Sequence, residues 1–116
     1  MNIYSALIIY IMMDLAWIKK SYKLYNDSVN KIQNEDIQLR IMPSVLAYTL
    51  LIINVLFVLL PHTNNVLHFS LSGLVIYGVY NATTYAILKD YPLKVAIIDT
   101  LWGLVSHTIL GVLLAV

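Results

Sequence analysis

The sequence contains no cysteine and few charged residues, and each absence excludes a class of protein. Without cysteine there is no disulfide, no thiolate metal site and no cysteine nucleophile. Charged residues make up 11% of the chain, less than half of the ~25% that is typical of soluble domains. The net charge of +1 gives no reason to expect nucleic acid as a partner. Only four glycines occur, and none belongs to a phosphate-binding loop motif.

Apolar residues are abundant and form 60% of the 116 residues. A soluble domain of this length cannot bury so much apolar surface, so we expect the protein to be surrounded by lipid. The first apolar run ends on Lys19 and Lys20, has no basic leading region and is followed by no small-residue cleavage site. We therefore expect a retained span rather than a cleaved signal peptide.

Four apolar stretches predict four transmembrane helices, because a helix needs ~17–25 residues to cross a bilayer. They lie at about 2–18, 43–60, 66–88 and 95–116. The links after the second and third stretches are so short that the helices they join must be antiparallel neighbours. The sequence thus predicts one all-α membrane domain over residues 1–116, a four-helix antiparallel bundle.

All seven basic residues fall in two of the three predicted connections. They are Lys19, Lys20, Lys23, Lys31 and Arg40 in the first connection, and Lys89 and Lys94 in the third. In a four-span chain these two connections lie on the same side of the membrane. The positive-inside rule then predicts that segments 19–42 and 89–94 are cytoplasmic and that both termini are outside.

The first connection is the one sizeable segment outside the predicted spans. Tyr22, Tyr25, Val29 and Ile32 recur in it at helical spacing, with charged residues on the opposite face. This pattern predicts a short helix lying in the headgroup region, and a disordered linker is the alternative.

Polar residues inside the apolar stretches mark a candidate site. Asp14, Thr84 and Asp99 each lie five residues from a lysine, which places them about 7 Å inside the cytoplasmic boundary at ~1.5 Å per residue. Asn81 lies about one turn deeper. Because an ionisable group inside a span is costly and often functional, we predict that these four residues bind an ion or a polar ligand.

Five further residues are predicted to support this site. They are Tyr10, Trp17, Tyr77, Trp102 and Ser106. Tyr10 lies one turn before Asp14 and is expected to donate its hydroxyl to that carboxylate. Trp17 is expected to anchor the membrane interface, and Trp102 to shield the site from lipid.

The two acids are predicted to differ. Asp99 lies near the start of its helix, where the helix dipole favours an anion, whereas Asp14 lies near the end of its own helix. If they share a site, Asp14 is expected to hold the proton. We then expect Asp14→Asn to be milder than Asp99→Asn.

Other residues indicate packing rather than chemistry. Small residues recur along one face of the third and fourth stretches, among them Gly73, Gly78, Gly103 and Gly111. Such faces predict close contact between these two helices. Asn54, near the middle of the second stretch, is expected to hydrogen-bond a neighbouring helix. His62 and His68 have no acidic neighbour in sequence and predict no metal site.

Several short motifs occur in a defined order along the chain. They are D-L-A-W at 14–17, a proline that opens the second stretch, Y-G-V-Y-N-A-T-T at 77–84, L-K-D-Y-P-L-K at 88–94 and D-T-L-W-G at 99–103. In this order they resemble a family of small predicted membrane proteins from bacteria and large DNA viruses, catalogued as domain of unknown function 2177. The resemblance implies a four-span integral membrane protein and supplies no catalytic assignment. The family pattern has Asp where this chain has Asn81, Asn where it has Thr84 and Trp where it has Tyr91.

Two functions fit these observations. The first is a small transporter or channel for protons, cations or a polar solute, which needs a homo-oligomer because four helices rarely enclose a path. The second is a structural or accessory membrane protein whose polar layer sets helix packing. An enzyme is not expected, since no nucleophile is paired with a base. No cofactor or metal is expected either, and the expected partner is the lipid bilayer.

Overall fold

The chain folds into four helices joined by three short connections. The computed structural model describes residues 1–115, apart from the side chain of Ile87. Helix α1 spans Ile3–Gln33, α2 spans Ile41–Ile53, α3 spans Val66–Ile87 and α4 spans Leu93–Ala115. Helix α2 continues through a π-helical turn, Asn54–Leu59, and a 3-10 turn, Leu60–His62. The chain is 85% helical with no strand in the described residues, which confirms the all-α class.

Helix α1 is longer than the sequence pattern predicts. Instead of ending near residue 18, it continues as one helix of 31 residues. No glycine or proline precedes Pro43, so nothing interrupts the backbone hydrogen bonds at the lysines. The Asn2 side chain caps the start by accepting from Tyr4 N at 2.7 Å, and Asn34, with φ 60°, ends the helix in the left-handed region. The prediction of a separate short helix is therefore wrong.

The connection 34–40 folds back on the end of α1. Asp36 Oδ1 accepts from Asn26 Nδ2 at 3.2 Å and from Asn30 Nδ2 at 3.0 Å. The backbone N–H of Ile37 donates to Asn26 Oδ1 at 2.7 Å. These bonds replace the missing helical ones and hold the connection against α1.

Helix α2 begins at Ile41, two residues before the predicted start, and Pro43 lies in its first turn. Proline has no N–H, and it is tolerated there because the N–H groups of a helix's first turn have no intrahelical acceptor in any case. The helix approaches α3 at the π-helical turn, where Asn54 Nδ2 donates to Ser72 Oγ at 3.2 Å. This bond confirms the predicted role of Asn54. No residue of Ile41–Ile53 is buried.

Helices α3 and α4 are antiparallel and in close contact. Ser70 pairs with Thr108 through their hydroxyls at 2.5 Å, and towards the other end Asn81 pairs with Asp99. Between these pairs, a Cβ atom built on Gly73 would overlap the carbonyl oxygen of Gly103. The two backbones approach this closely because neither residue carries a side chain, as the small-residue faces predicted.

Buried apolar side chains cluster at the end of the molecule where α2 and α3 connect. They are Ala6, Tyr10, Val55, Leu59, Phe69 and Leu110. Many large apolar side chains on the outside of the helices are exposed, even next to this cluster; Phe57, for example, is 74% exposed and Leu67 66%. An exterior this apolar is suited to lipid rather than to water.

Two helices are long and apolar enough to cross a membrane, Ile41–His62 and Leu93–Ala115. Within residues 1–115, α1 and α3 do not meet the same criterion of length and composition. The prediction of four spans is thus supported for two helices and stays a prediction for the other two.

Candidate functional site

Asp14 joins three helices through its carboxylate. Tyr48 of α2 donates its hydroxyl to Asp14 Oδ2 at 2.5 Å, and Trp102 of α4 donates its indole N–H to Oδ1 at 3.0 Å. Both groups are neutral donors, so the carboxylate is held by hydrogen bonds rather than by an opposite charge at these two positions.

Asp99 joins α4 to α1 and α3 in the same manner. Tyr25 donates its hydroxyl to Asp99 Oδ1 at 2.8 Å, and Asn81 donates its amide N–H to Oδ2 at 2.6 Å. The predicted grouping of Asn81 with Asp99 is therefore present in the structure. One bond to each oxygen leaves acceptor capacity on both.

The two tryptophans connect these carboxylates into one layer. The Trp17 and Trp102 rings stack with centroids 4.7 Å apart and planes 4° apart. Trp17 Nε1 also donates to the Tyr25 hydroxyl at 3.1 Å. Trp102 thus bonds Asp14, while Trp17 reaches Asp99 through Tyr25. We call Asp14, Trp17, Tyr25, Tyr48, Asn81, Asp99 and Trp102 the carboxylate layer.

Both tryptophans make contacts that their predicted roles did not include. Trp17 was expected to act as a separate interfacial anchor, yet its ring lies on Trp102 and its N–H bonds inside the protein. Trp102 donates directly to Asp14, and its predicted shielding of the site from lipid stays a prediction. The sequence does not predict that the two rings stack, because stacking depends on how α1 and α4 are rotated about their axes.

A double-mutant cycle tests the stacked pair. Aromatic pairs contribute ~0.5–1.5 kcal/mol beyond the area they bury, so we expect Trp17→Leu and Trp102→Leu to couple by about that amount in the free energy of unfolding in detergent. Trp17→Leu combined with Phe57→Leu, on the exposed face of the π-helical turn, serves as the control and should be additive. Additivity in both cycles would mean that the two rings do not touch.

Asn81 is fixed in orientation by three bonds. Its Nδ2 donates to Asp99 and to the Tyr77 carbonyl oxygen at 2.8 Å, and its Oδ1 accepts from the Tyr91 hydroxyl at 3.2 Å. Burial, followed by the nearby Tyr80 and Asp99, raises the pKa of Tyr91 to about 12. Tyr91 therefore stays a donor at neutral pH. Asn81 is only 1% exposed and presents its N–H group to the carboxylate.

Tyr10 does not bond Asp14, which corrects its predicted role. Its hydroxyl lies 3.2 Å from Nε2 of His107, which is fully buried. Nδ1 of His107 lies 3.0 Å from the Gly103 carbonyl oxygen. A carbonyl oxygen can only accept, so Nδ1 carries the proton and Nε2 accepts from Tyr10.

Two more predicted supporting residues also lie around His107. Ser106 donates its hydroxyl to the Gly103 carbonyl oxygen at 3.3 Å. The Tyr77 ring packs on Gly103 and lies edge-on to the His107 ring, with centroids 5.9 Å apart. Ser106 is thus separate from the carboxylate layer, and Tyr77 lies between the two groups.

Thr84 has the predicted depth but not the predicted contact. Its hydroxyl donates to the Tyr80 carbonyl oxygen of its own helix at 2.8 Å. Threonine often donates to the carbonyl one turn earlier in this way. Its single hydroxyl proton is then not available to a carboxylate. The structure therefore does not bring Thr84 to either carboxylate.

Three tyrosines of this region were missed as site residues. The sequence pattern places Tyr25 in the interfacial stripe, gives no role to Tyr48, and marks Tyr91 only as a departure from the family pattern. The position of Tyr48 along α2 could have indicated that it belongs to the site. It lies near the predicted cytoplasmic end of α2, as Asp99 does in α4. The predicted proton on Asp14 stays a prediction, because its two partners permit either state.

An open groove of about 540 Å³ lies between α2 and α3 and reaches Asp99. Its lining residues are Ala47, Leu50, Leu51, Ile76, Tyr77, Tyr80 and Asp99. Asp99 is partly exposed, and it is the one acidic or basic residue in the lining of this groove. Within residues 1–115, no group of three or more His, Asp or Glu side chains could hold a metal ion.

An all-helical chain with an apolar exterior, candidate spans and a polar layer between its helices is a helical membrane protein. The whole chain, residues 1–116, matches the family described as Predicted membrane protein (DUF2177), and it belongs to that family. No curated protein and no solved structure matches the chain significantly.

Proposed function

We propose that the protein is a four-span membrane protein that binds a proton or a cation at Asp99 and moves it across the membrane as a homo-oligomer. The observation that carries this proposal is that Asp99, a partly exposed acidic residue, lines the groove between α2 and α3. A carboxylate inside a span is costly, and a bound proton or cation would neutralise it. The donors to Asp99 are neutral, so they leave that role open.

The distribution of basic residues supports the orientation of this four-span chain. The connections 34–40 and 88–92 lie at the same end of an antiparallel bundle, and the turn at 63–65 lies at the other. Lys31, Arg40, Lys89 and Lys94 lie in or beside these two connections, whereas Lys19, Lys20 and Lys23 lie earlier, within α1. No Lys or Arg lies in or beside the turn at 63–65. By the positive-inside rule, this supports a cytoplasmic location for those two connections and an outside location for both termini.

Single cysteines test the orientation without background, since the chain has none. Glu35→Cys, Asn64→Cys and Asp90→Cys replace exposed residues of the three connections. In intact cells a membrane-impermeant maleimide should label the variant at position 64, and the other two only after the membrane is permeabilised. Labelling of all three from one side would exclude four spans.

A structural role is the second candidate, and the carboxylate layer favours it. Asp14 bonds residues of α2 and α4, and Asp99 bonds residues of α1 and α3. The two carboxylates thereby link all four helices, and such bonds fix the register of helices in a membrane. In this role the polar layer binds no ligand.

Flux in reconstituted vesicles separates the two candidates. Native protein should dissipate an imposed proton or cation gradient. The rate of dissipation with Asp99→Asn should equal that of empty vesicles. Asp90→Asn removes an exposed acid of the 88–92 connection and is the matched control, which should keep the native rate. If native protein gives no flux and Asp99→Asn only lowers the free energy of unfolding, the structural role holds.

A further inference from the structure

The groove between α2 and α3 combines one carboxylate, two aromatic rings and otherwise apolar side chains. We propose that it binds a single-chain amphiphile with a primary ammonium head group, which enters sideways from the lipid. This inference rests on the proposed binding of a cationic group at Asp99 and names the class of ligand. A long-chain alkylamine is the simplest molecule of that class.

The head group has matching partners at Asp99. Each carboxylate oxygen accepts one hydrogen bond, from Tyr25 or from Asn81, and each retains acceptor capacity. A primary ammonium carries three donors and forms charge-assisted bonds with such oxygens. Tyr77 and Tyr80 line the same groove, and their ring faces attract a cation.

The alkyl tail has matching partners on both walls. Leu50 and Leu51 of α2 face Ile76 of α3 across the groove. Its volume of about 540 Å³ falls in the ~300–1,000 Å³ range of small-molecule sites. The exposed Leu50, at 56%, and Tyr80, at 62%, leave the groove open on its lipid side.

The opening follows from how α2 is attached. It contacts α3 at the π-helical turn, where Asn54 bonds Ser72. Nearer its start, Tyr48 bonds Asp14 of α1, and no residue of Ile41–Ile53 is buried. The first half of α2 is therefore held away from α3, and the groove lies in the space between them.

Two other occupants fit the groove less well. A metal ion such as Mg²⁺ or Ca²⁺ needs about six oxygen ligands, and the lining supplies a single carboxylate. A phospholipid would bring its phosphate, yet no lining residue is basic.

Photolabelling tests the proposal in nanodiscs of phosphatidylcholine, whose head group has no N–H. The probe is an alkylamine with a diazirine at the end of its chain, and peptide mass spectrometry locates the label. We expect labelled residues on α2 and α3 beside the groove, and competition by dodecylamine but not by dodecanol. Asp99→Asn should weaken labelling about tenfold, the effect of losing one charge-assisted hydrogen bond.

Two variants keep the test decisive if Asp99→Asn folds poorly. Leu50→Trp fills the groove without touching the carboxylate and should also prevent labelling, whereas Asp90→Asn should leave it unchanged. Equal competition by dodecanol or by added phosphatidylethanolamine would overturn the proposal, as would label outside the groove. Labelling without ion flux keeps the amine site and removes the transport proposal, and flux without labelling does the reverse.

Discussion

Gly73→Ala should destabilise the protein by about 3 kcal/mol, the upper end of the ~1–3 kcal/mol typical of overpacking. A Cβ atom at Gly73 would overlap the carbonyl oxygen of Gly103 and lie 2.7 Å from Cβ of His107. The first of these is backbone, which cannot rotate away as a side chain can. Helices α3 and α4 would have to separate, and this would disturb both the His107 group and the carboxylate layer.

Gly78→Ala on the same helix is the matched control. A Cβ atom there lies 3.7 Å from Cγ2 of Thr100, an ordinary contact. It should be neutral or mildly stabilising, because alanine has the higher helix propensity. Unfolding in detergent measures both variants, and equal free energies of unfolding would show that α3 and α4 are not packed as described.

Asn81→Asp should give a protein whose stability falls as pH rises. The new carboxylate would stand where Nδ2 now lies, 2.6 Å from Oδ2 of Asp99. Two carboxylates at this distance are stable together only while they share a proton. The variant should resemble the native protein at acidic pH, and lose stability as the shared proton leaves and two anions remain in contact.

Melting temperatures measured across a pH series in detergent check this expectation. Asn64→Asp introduces the same chemical change at an exposed residue of the 63–65 turn, so it should follow the native profile. A parallel profile for Asn81→Asp would mean that residue 81 does not face Asp99. The predicted difference between Asp14→Asn and Asp99→Asn can be measured in the same series.

The carboxylate layer gives the two proposed roles a common origin. The same bonds that link the four helices hold Asp99 at the edge of the open groove between α2 and α3. Its acceptors are only partly used, so binding a cation would not require the layer to break. A structural layer and a binding site are therefore compatible on these residues.

Three features could be predicted without a structure: the lipid environment, the all-α class and the short links around α3. These follow from composition and from runs of apolar residues, which are local properties. The sequence also indicates Asp14, Asn81 and Asp99, three members of the carboxylate layer, because a polar group inside an apolar run is conspicuous wherever the helices lie. The prediction that the first helix ends near residue 18 is wrong for a local reason as well, because a pair of lysines does not end a helix.

Only the tertiary structure decided which partner each side chain has. Tyr10 bonds His107 rather than Asp14, Thr84 bonds its own backbone, and Trp17 stacks on Trp102. The bond from Tyr48 to Asp14 depends on where α2 lies relative to α1. The groove beside Asp99 depends on where α2 lies relative to α3. Spacing along a chain gives the face and depth of a residue. The partner of that residue depends on the rotation and register of the neighbouring helices. For α3 and α4, the close packing at Gly73 and Gly103 sets both.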